Sequence, residues 1–406
     1  MFWVVLITVI IVIIAIRKAS GGAGAQNGNS IEEDVDIAKL TELAENGDPD
    51  AQDKLGQCYR DGNGVEKNCA EAVKWFRKAA EQDHPGAQNS LGLRYKNGEG
   101  VTKNYAEAVK WFRKAAEQGF AKAQYNLGLC CERGLGVDKD ETEAAEWYRE
   151  AAEQGDAIAQ CNLGFLLYFG RGVDKDRDSA FKLFKASAKQ GNIRAKYGMG
   201  LCYYHGGGVN LDREKGLKLA QEVAKQGHVP AMEFLIFIYE HKGPRDAAIQ
   251  WRREAAEHGD LPSMLMLFKL YSSSIYEYYK DSKPEKIPEI KKDLHEAYKW
   301  LRMAAEHGDV ASQYTIATKE TDPAEACRWF QKAAANGHAD AMYELGLCYK
   351  NGRGVEQNPE KALEWLRKAA ARGSRNAENL VKQIDQEIKN QEMILKRKKM
   401  LQKKNS

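Results

Sequence analysis

The sequence predicts an all-α protein of stacked antiparallel helix hairpins, preceded by an N-terminal membrane-anchor helix. Three observations predict it. The dodecamer EAVKWFRKAAEQ occurs at Glu71–Gln82 and again, letter for letter, at Glu107–Gln118, thirty-six residues on. Alanines recur at that spacing at Ala51, Ala87, Ala123, Ala159, Ala195 and Ala231. Phe2–Ile16 is a run of fifteen apolar or near-apolar residues closed by Arg17-Lys18, unlike anything that follows.

At ~1.5 Å per residue the apolar run spans roughly 22 Å, short for a hydrocarbon core of about 30 Å. Thinning of the bilayer, or snorkelling by Arg17 and Lys18, would absorb the deficit. No basic residue precedes the run, and Arg17 and Lys18 separate it from the cleavage-like AGAQ at Ala23–Gln26. Residues 1–18 therefore read as an anchor, with the chain from Arg17 onward in the cytoplasm by the positive-inside rule. The alternative is a cleaved signal peptide and a secreted or periplasmic protein. Residues 19–36, which include SGGAGAQNGNS, read as a flexible linker reaching roughly 20 Å.

Repeats begin near residues 51, 87, 123, 159, 195, 231, 263, 312 and 341, so the period drifts to 32, 49 and 29 after the sixth start before regularity returns. A half-repeat at Ile37–Pro49 precedes them, and a helix from about Ala377 follows. Within Ala87–Lys122, Ala87, Leu91 and Tyr95 make the apolar stripe of a first helix. Gly92 lets a neighbour approach, Gly98 and Gly100 end the helix in a tight turn, and Val101 plugs that turn into the core. Asn104 with Glu107 has the spacing of a capping box and opens a second helix. That helix presents Ala108, Trp111, Phe112, Ala115 and Ala116 before Gly119. Asn68/Glu71 and Asp140/Glu143 repeat the cap. Such a hairpin cannot bury its apolar faces alone, so stacking is obligatory.

The pattern A-x-x-x-L-G-x-x-Y-x-x-G-x-G-V…A-x-x-W-F/Y-x-x-A-A-x-x-G, followed from about Ile37 to Asn376, resembles the Sel-one-like repeat, a relative of the tetratricopeptide repeat. The resemblance implies a right-handed α-solenoid whose first helices line the concave surface. It also implies scaffolding work, holding partner proteins, often in membrane-associated complexes and signalling. The chain departs from the pattern at Asp83, in place of the second-helix glycine, at HKGPRD in the sixth repeat, and at TKETDPAEA in the eighth. The seventh repeat carries about thirteen extra residues, SSSIYEYYKDSKPEKIPEI (Ser272–Ile290), with Tyr276, Tyr278 and Tyr279 read as lying on a long connection.

Catalytic signatures are poor, and the chain reads as a non-enzyme without cofactor or metal. The 61 basic and 58 acidic residues leave a net charge of +3, which argues against nucleic acid as a partner. The eight cysteines show neither CxxC nor Cys/His metal spacing and read as small buried hydrophobes. Ser179–Lys182 (SAFK) has the nucleophile–base spacing of penicillin-recognising enzymes, but its companion motifs are missing. The cysteine-rich secreted branch of the resembled family is linked with β-lactam binding, which makes a β-lactam-binding or hydrolase activity the alternative function. That branch pairs a cysteine on each helix of a repeat, and here Cys161 has no counterpart.

A concave groove is the better candidate. Carried over from the resemblance, positions three, seven, ten and eleven of each repeat are expected to be exposed there. They are polar in the first two repeats (Asp53, Gln57, Arg60, Asp61; Asn89, Leu93, Lys96, Asn97) and aromatic later. The candidate partner-binding residues are Tyr125, Phe165, Tyr168, Phe169, Tyr197, Tyr204, His205 and Phe237, expected to receive another protein or peptide. LGFLLYFG (Leu163–Gly170) is apolar all round, which fits either a partner pocket or an inner face covered by neighbouring helices. The terminal helix carries Leu380, Ile384 and Ile388 on one stripe and ends in LKRKKMLQKKNS, a basic tail suited to anionic lipid.

Overall fold

The computed structural model of the chain describes residues 36–281 and 287–404. Among these, twenty α-helices and no strand occur, arranged as paired helices in chain order. They are α1 Ile37–Glu45, α2 Pro49–Asp61, α3 Cys69–Glu81, α4 Pro85–Asn97, α5 Tyr105–Glu117, α6 Ala121–Arg133, α7 Glu141–Glu153 and α8 Ala157–Phe169. After these come α9 Arg177–Lys189, α10 Ile193–His205, α11 Arg213–Ala224, α12 Val229–Lys242, α13 Arg245–Glu257, α14 Leu261–Asp281 and α15 Ile287–Glu306. The chain closes with α16 Val310–Lys319, α17 Pro323–Ala335, α18 Ala339–Asn351, α19 Pro359–Ala371 and α20 Arg375–Lys404. Two compact units form: one runs to Leu166 and includes Gly170–Asp174, the other comprises Leu167–Phe169 and the chain from Lys175. Within the first, each helix from α1 to α7 packs on its successor; within the second, the same holds from α9 to α20.

The caps explain where the helices start. Asn68 accepts from the amides of Ala70 and Glu71, Asn104 from Glu107 at 3.1 Å, and Asp140 from Thr142 and Glu143. Only half of the expected capping box forms. The amides of Asn68 and Asn104 donate instead to the carbonyls of Tyr59 and Tyr95 on the preceding helix. Glu71 and Glu107 turn outward to Lys74 and Lys110. The repeated dodecamer is a packing unit: Phe76 and Phe112 are fully buried, and Lys78 and Lys114 lie over the faces of Trp75 and Trp111. A Cβ on Gly92 would stand 2.6 Å from the Phe112 ring, so the glycine lets the two helices of the hairpin close together. The Gly-x-Gly turn is equally constrained. Gly100 has φ +74°, and a Cβ there would meet the carbonyl oxygen of Cys69 at 2.2 Å, on the second helix of the preceding repeat. Asp83, standing where other repeats have glycine, is held at φ +60°, the one non-glycine left-handed residue among the described residues.

A buried glutamine clamp runs through the first unit. Gln52, Gln88, Gln124 and Gln160 donate to the carbonyls of Ala44, Ala80, Ala116 and Ala152 on the helix before. Their own carbonyls accept from the glutamine that ends the same hairpin: Gln82 to Gln52, Gln118 to Gln88 and Gln154 to Gln124, each at 2.8 Å. One amide thus ties three successive helices, satisfying its polar atoms inside the core. The equivalent positions in the next repeats are Lys196, Met232 and Met264, and the clamp returns at Gln313 to Ala305.

Several expectations are corrected here. The seventh-repeat insertion is not a long connection: α14 and α15 extend into it, leaving Tyr276, Tyr278 and Tyr279 on α14 and only residues 282–286 outside the description. No glycine or proline interrupts the chain between Ser263 and Ser282, so nothing stops the helix. On α20, Leu380 and Ile384 pack on the last core, whereas Ile388 is exposed. The side chains of the basic tail, read as a lipid contact, lie outside the description. The single-pass membrane localisation does not stand. Among the described residues no helix is long and apolar enough to cross a membrane, and Phe2–Ile16 itself lies outside them.

Replacing Gln88 with Met, the residue used at 232, removes both ends of one clamp while keeping the side chain's bulk. The expected cost is roughly 1–2 kcal/mol, about one net hydrogen bond at each end. It is read as a lower midpoint of the first unfolding transition by circular dichroism. An unchanged midpoint would show that the clamp contributes nothing.

Candidate partner-binding face

The structure divides the expected groove residues by position. In the first unit, position three is inside: Asp53 and Asn89 are buried, and the Asn126 amide donates to Asn89 Oδ1 at 3.0 Å. Burial pushes the Asp53 carboxyl above its ordinary range, with the charge of His84 pulling the other way. Tyr125 is half-buried and stacks on Tyr148, with ring centroids 6.1 Å apart. The Tyr148 hydroxyl donates to Glu132, and Phe165 is buried. These residues are packing and polar ties rather than open surface.

In the second unit the inner rings are also covered. Tyr168 and Tyr204 are buried. The Tyr168 hydroxyl reaches the Leu201 carbonyl on α10 at 3.5 Å, its ring meets Phe184, and burial pushes its phenol up to about 12. Tyr204 packs edge-on to Phe234 of α12 at 5.2 Å. Tyr197 is half-buried between His228 and Phe234, and burial raises its phenol too. The expectation that positions three, seven and ten are open is therefore corrected. Successive first helices lie close enough for side chains at these positions to interdigitate, as the Tyr168 and Tyr204 contacts show. Position eleven remains outside in these repeats: Phe169 is 53% exposed and His205 is also exposed. In the sixth repeat position seven opens as well, with Phe237 57% exposed and its ring 4.4 Å from that of His241.

A cleft of about 630 Å³, missed in the sequence, lies between α12, α13 and α14. It is lined by Tyr239, Ile249, Met266 and Leu270, with the Glu240–Arg252 ion pair at its edge. The sixth repeat joins its helices through Gly243-Pro244 alone, without the Gly-x-Gly turn that covers the neighbouring hairpin in the regular repeats. The signal was legible as HKGPRD, but not its consequence.

The remaining chemical candidates have structural roles. Asp176 caps α9 by accepting from the Ser179 amide, and it also holds the Ser179 hydroxyl; Lys182 is exposed. His84, His228 and His338 cap first helices through Nδ1, while His258 and His307 bond carbonyls one turn back. Seven of the eight thiols are buried, and burial raises Cys131, Cys202 and Cys348 to about 12. Among the described residues no cluster of His, Cys, Asp or Glu has the arrangement of a metal site.

The Sel1 repeat model matches residues 49–84, 85–120, 121–156, 157–192, 193–228, 285–309, 317–338 and 339–374, more than half of the chain. The chain belongs to the Sel1 repeat family. Proteins of this family generally mediate protein–protein interactions and are non-enzymatic scaffolds. This Sel1 repeat protein is similar to a protective antigen present in uropathogenic Escherichia coli strains, with 30% identity, 86% of this chain and 82% of that one covered, and TM-score 0.43. It is also similar to a Sel1 repeat protein from Oxalobacter formigenes, with 38% identity, coverage of 54% and 92%, and TM-score 0.47. No curated protein matches the chain.

His228 gives the repeats an acid-sensitive joint. Burial, then the charge of Arg194, lowers its pKa from the ordinary 6.5, so the folded state takes up the proton less readily than the unfolded chain. Its contribution is fully present above the unfolded value and is lost as pH falls through the folded one. Thermal midpoints of the wild type should therefore drop below pH 6.5, and His228→Asn should flatten that drop, because Asn192 caps the preceding first helix without titrating in this range. Identical pH profiles for the two proteins would refute this.

Proposed function

We propose that this Sel1 repeat protein is an adaptor that holds a partner polypeptide against the exposed aromatic edge of its first helices in the second compact unit. The observation that carries the reading is the exposure of Phe169 and Phe237, 53% and 57%, on helices whose other aromatic residues are packed away. Large apolar rings left in water beside a rigid packed layer suit the centre of an interface. Tyr168, Tyr197 and Tyr204 serve as the floor that holds the edge in shape, with His205 beside them. No chemical step is assigned, since Ser179 and the capping histidines are occupied in ending and starting helices.

The double substitution Phe169→Ser/Phe237→Ser changes exposed rings only, so the thermal midpoint should hold. Partners captured from the protein's own cell by the wild type and identified by mass spectrometry should be lost or reduced about tenfold, as expected for two interface anchors. Full retention of those partners by a folded double variant would overturn the reading.

A further inference from the structure

In the second unit, Arg177 and Arg213 are among the arginines that form no ion pair among the described residues. Arg177 and Arg213 are the first residues of α9 and α11, equivalent positions in successive repeats. The corresponding residues in the three preceding repeats are Cys69, Tyr105 and Glu141. Several other arginines pair with acids: Arg113 with Glu143, Arg171 with Glu132 and Glu141, Arg252 with Glu240, Arg302 with Glu325. Arg177 and Arg213 instead lie over aromatic rings, Arg177 5.1 Å from the centroid of Tyr168 and Arg213 6.0 Å from that of Tyr204. The Arg177 Nε is buried without a hydrogen-bond partner.

Both guanidinium groups lie near enough to His205 for their charges to act on it. The His205 ring stands 5.1 Å from Tyr204 and 6.4 Å from Phe234. Gly207, two residues on, lies so close to Arg177 that a Cβ there would be 2.6 Å from its Cδ. Burial, then both arginine charges, lower the pKa of His205 and so favour its neutral imidazole beside the two guanidinium groups. Phe169 joins the cluster through its edge contact with Tyr168 at 5.0 Å. The nearby acids are engaged or turned aside: Asp176 and Asp212 accept from the amides of Ser179 and Lys215 at the two helix starts. Asp178 and Glu214 are exposed and form no ion pair among the described residues.

We propose that Arg177, His205 and Arg213 form an acceptor for a carboxylate side chain of a bound polypeptide, with Phe169 and Phe234 receiving an apolar side chain next to it. This rests on the proposed function of the same face and names the chemistry of its partner. A guanidinium held over a tyrosine ring is partly ordered already and loses less entropy on pairing with a carboxylate. Both arginines lie over rings in this way, and an incoming carboxylate offsets the positive charge that they place beside the neutral His205. The four acids Asp176, Asp178, Asp212 and Glu214 around the site oppose a polyanion, so a single carboxylate fits where a nucleic-acid backbone does not.

The test is selection of a random peptide library on the full chain, followed by fluorescence anisotropy with the enriched peptides. Enriched sequences are expected to place Asp or Glu beside an aromatic or large aliphatic residue. Changing that acid to its amide, or Arg177→Gln/Arg213→Gln in the protein, should each weaken binding at least about tenfold, the loss expected of a charge-assisted hydrogen bond. The two changes together should do no more than either alone. Arg177→Lys/Arg213→Lys, which keeps charge and stem but not the fork, should give a smaller loss, and unchanged thermal midpoints certify the fold of both variants. Additive losses, enriched peptides without an acid, no enrichment, or stronger binding to a single-stranded oligonucleotide would each overturn the assignment. Binding lost in Phe169→Ser/Phe237→Ser but kept in Arg177→Gln/Arg213→Gln overturns the carboxylate acceptor and leaves the aromatic face standing. Insensitivity to both pairs overturns both.

Discussion

An aromatic ring resting on a glycine sets the distance on which each of the first three hairpins depends. Phe76 lies on Gly56, Phe112 on Gly92 and Tyr148 on Gly128, each so close that a Cβ on the glycine would come within 3 Å of the ring. That contact brings the two helices of a repeat together and buries the largest side chains completely. The alanines at Ala79, Ala80, Ala115 and Ala116 then form a smooth face on which the next hairpin can sit. Because this packing problem recurs in the successive hairpins of the first unit, its solution recurs as well, and EAVKWFRKAAEQ is written twice. The glutamine clamp accompanies the same geometry in the first unit, where one amide reaches two neighbouring helices.

Where the contact pattern lapses, the surface changes character. The sixth repeat loses its Gly-x-Gly turn, and a cleft opens beside α12 and α13. The clamp is absent at Lys196, Met232 and Met264. In this part of the chain Phe169 and Phe237 are exposed and Arg177 and Arg213 lie on tyrosines without carboxylates. Regularity is therefore uneven along the chain: the recurrent packing is carried by the second helices, while the exposed rings and the two arginines fall in the fourth to sixth repeats.

Much of this was legible. Asn68, Asn104 and Asp140 announced the second helices, and the glycine pairs announced the turns, because caps and left-handed turns are local in sequence. Val65, Val101 and Val355 pack under their turns as a single apolar residue after two glycines should. The Ala-Gln pair recurring at residues 51, 87, 123 and 159 was an available signal for the clamp, but its partners lie on other helices and are eight and thirty residues distant. The misjudged burial of Phe165, Tyr168 and Tyr204 has the same origin. Whether an inner-face residue is open depends on how near the adjacent first helix stands, and no single repeat contains that information.

By itself the sequence determined the repeating hairpin, its caps, its turns and the need to stack, because each follows from spacings of a few residues and from apolar faces that one hairpin cannot cover. Only the tertiary structure decided which side of each first helix stays open, that the seventh-repeat insertion lengthens helices, and that Arg177 and Arg213 lie over the buried rings of Tyr168 and Tyr204. Those outcomes depend on distances between helices thirty-six residues apart in the chain, and such distances are set by the summed packing of neighbours rather than by any local pattern.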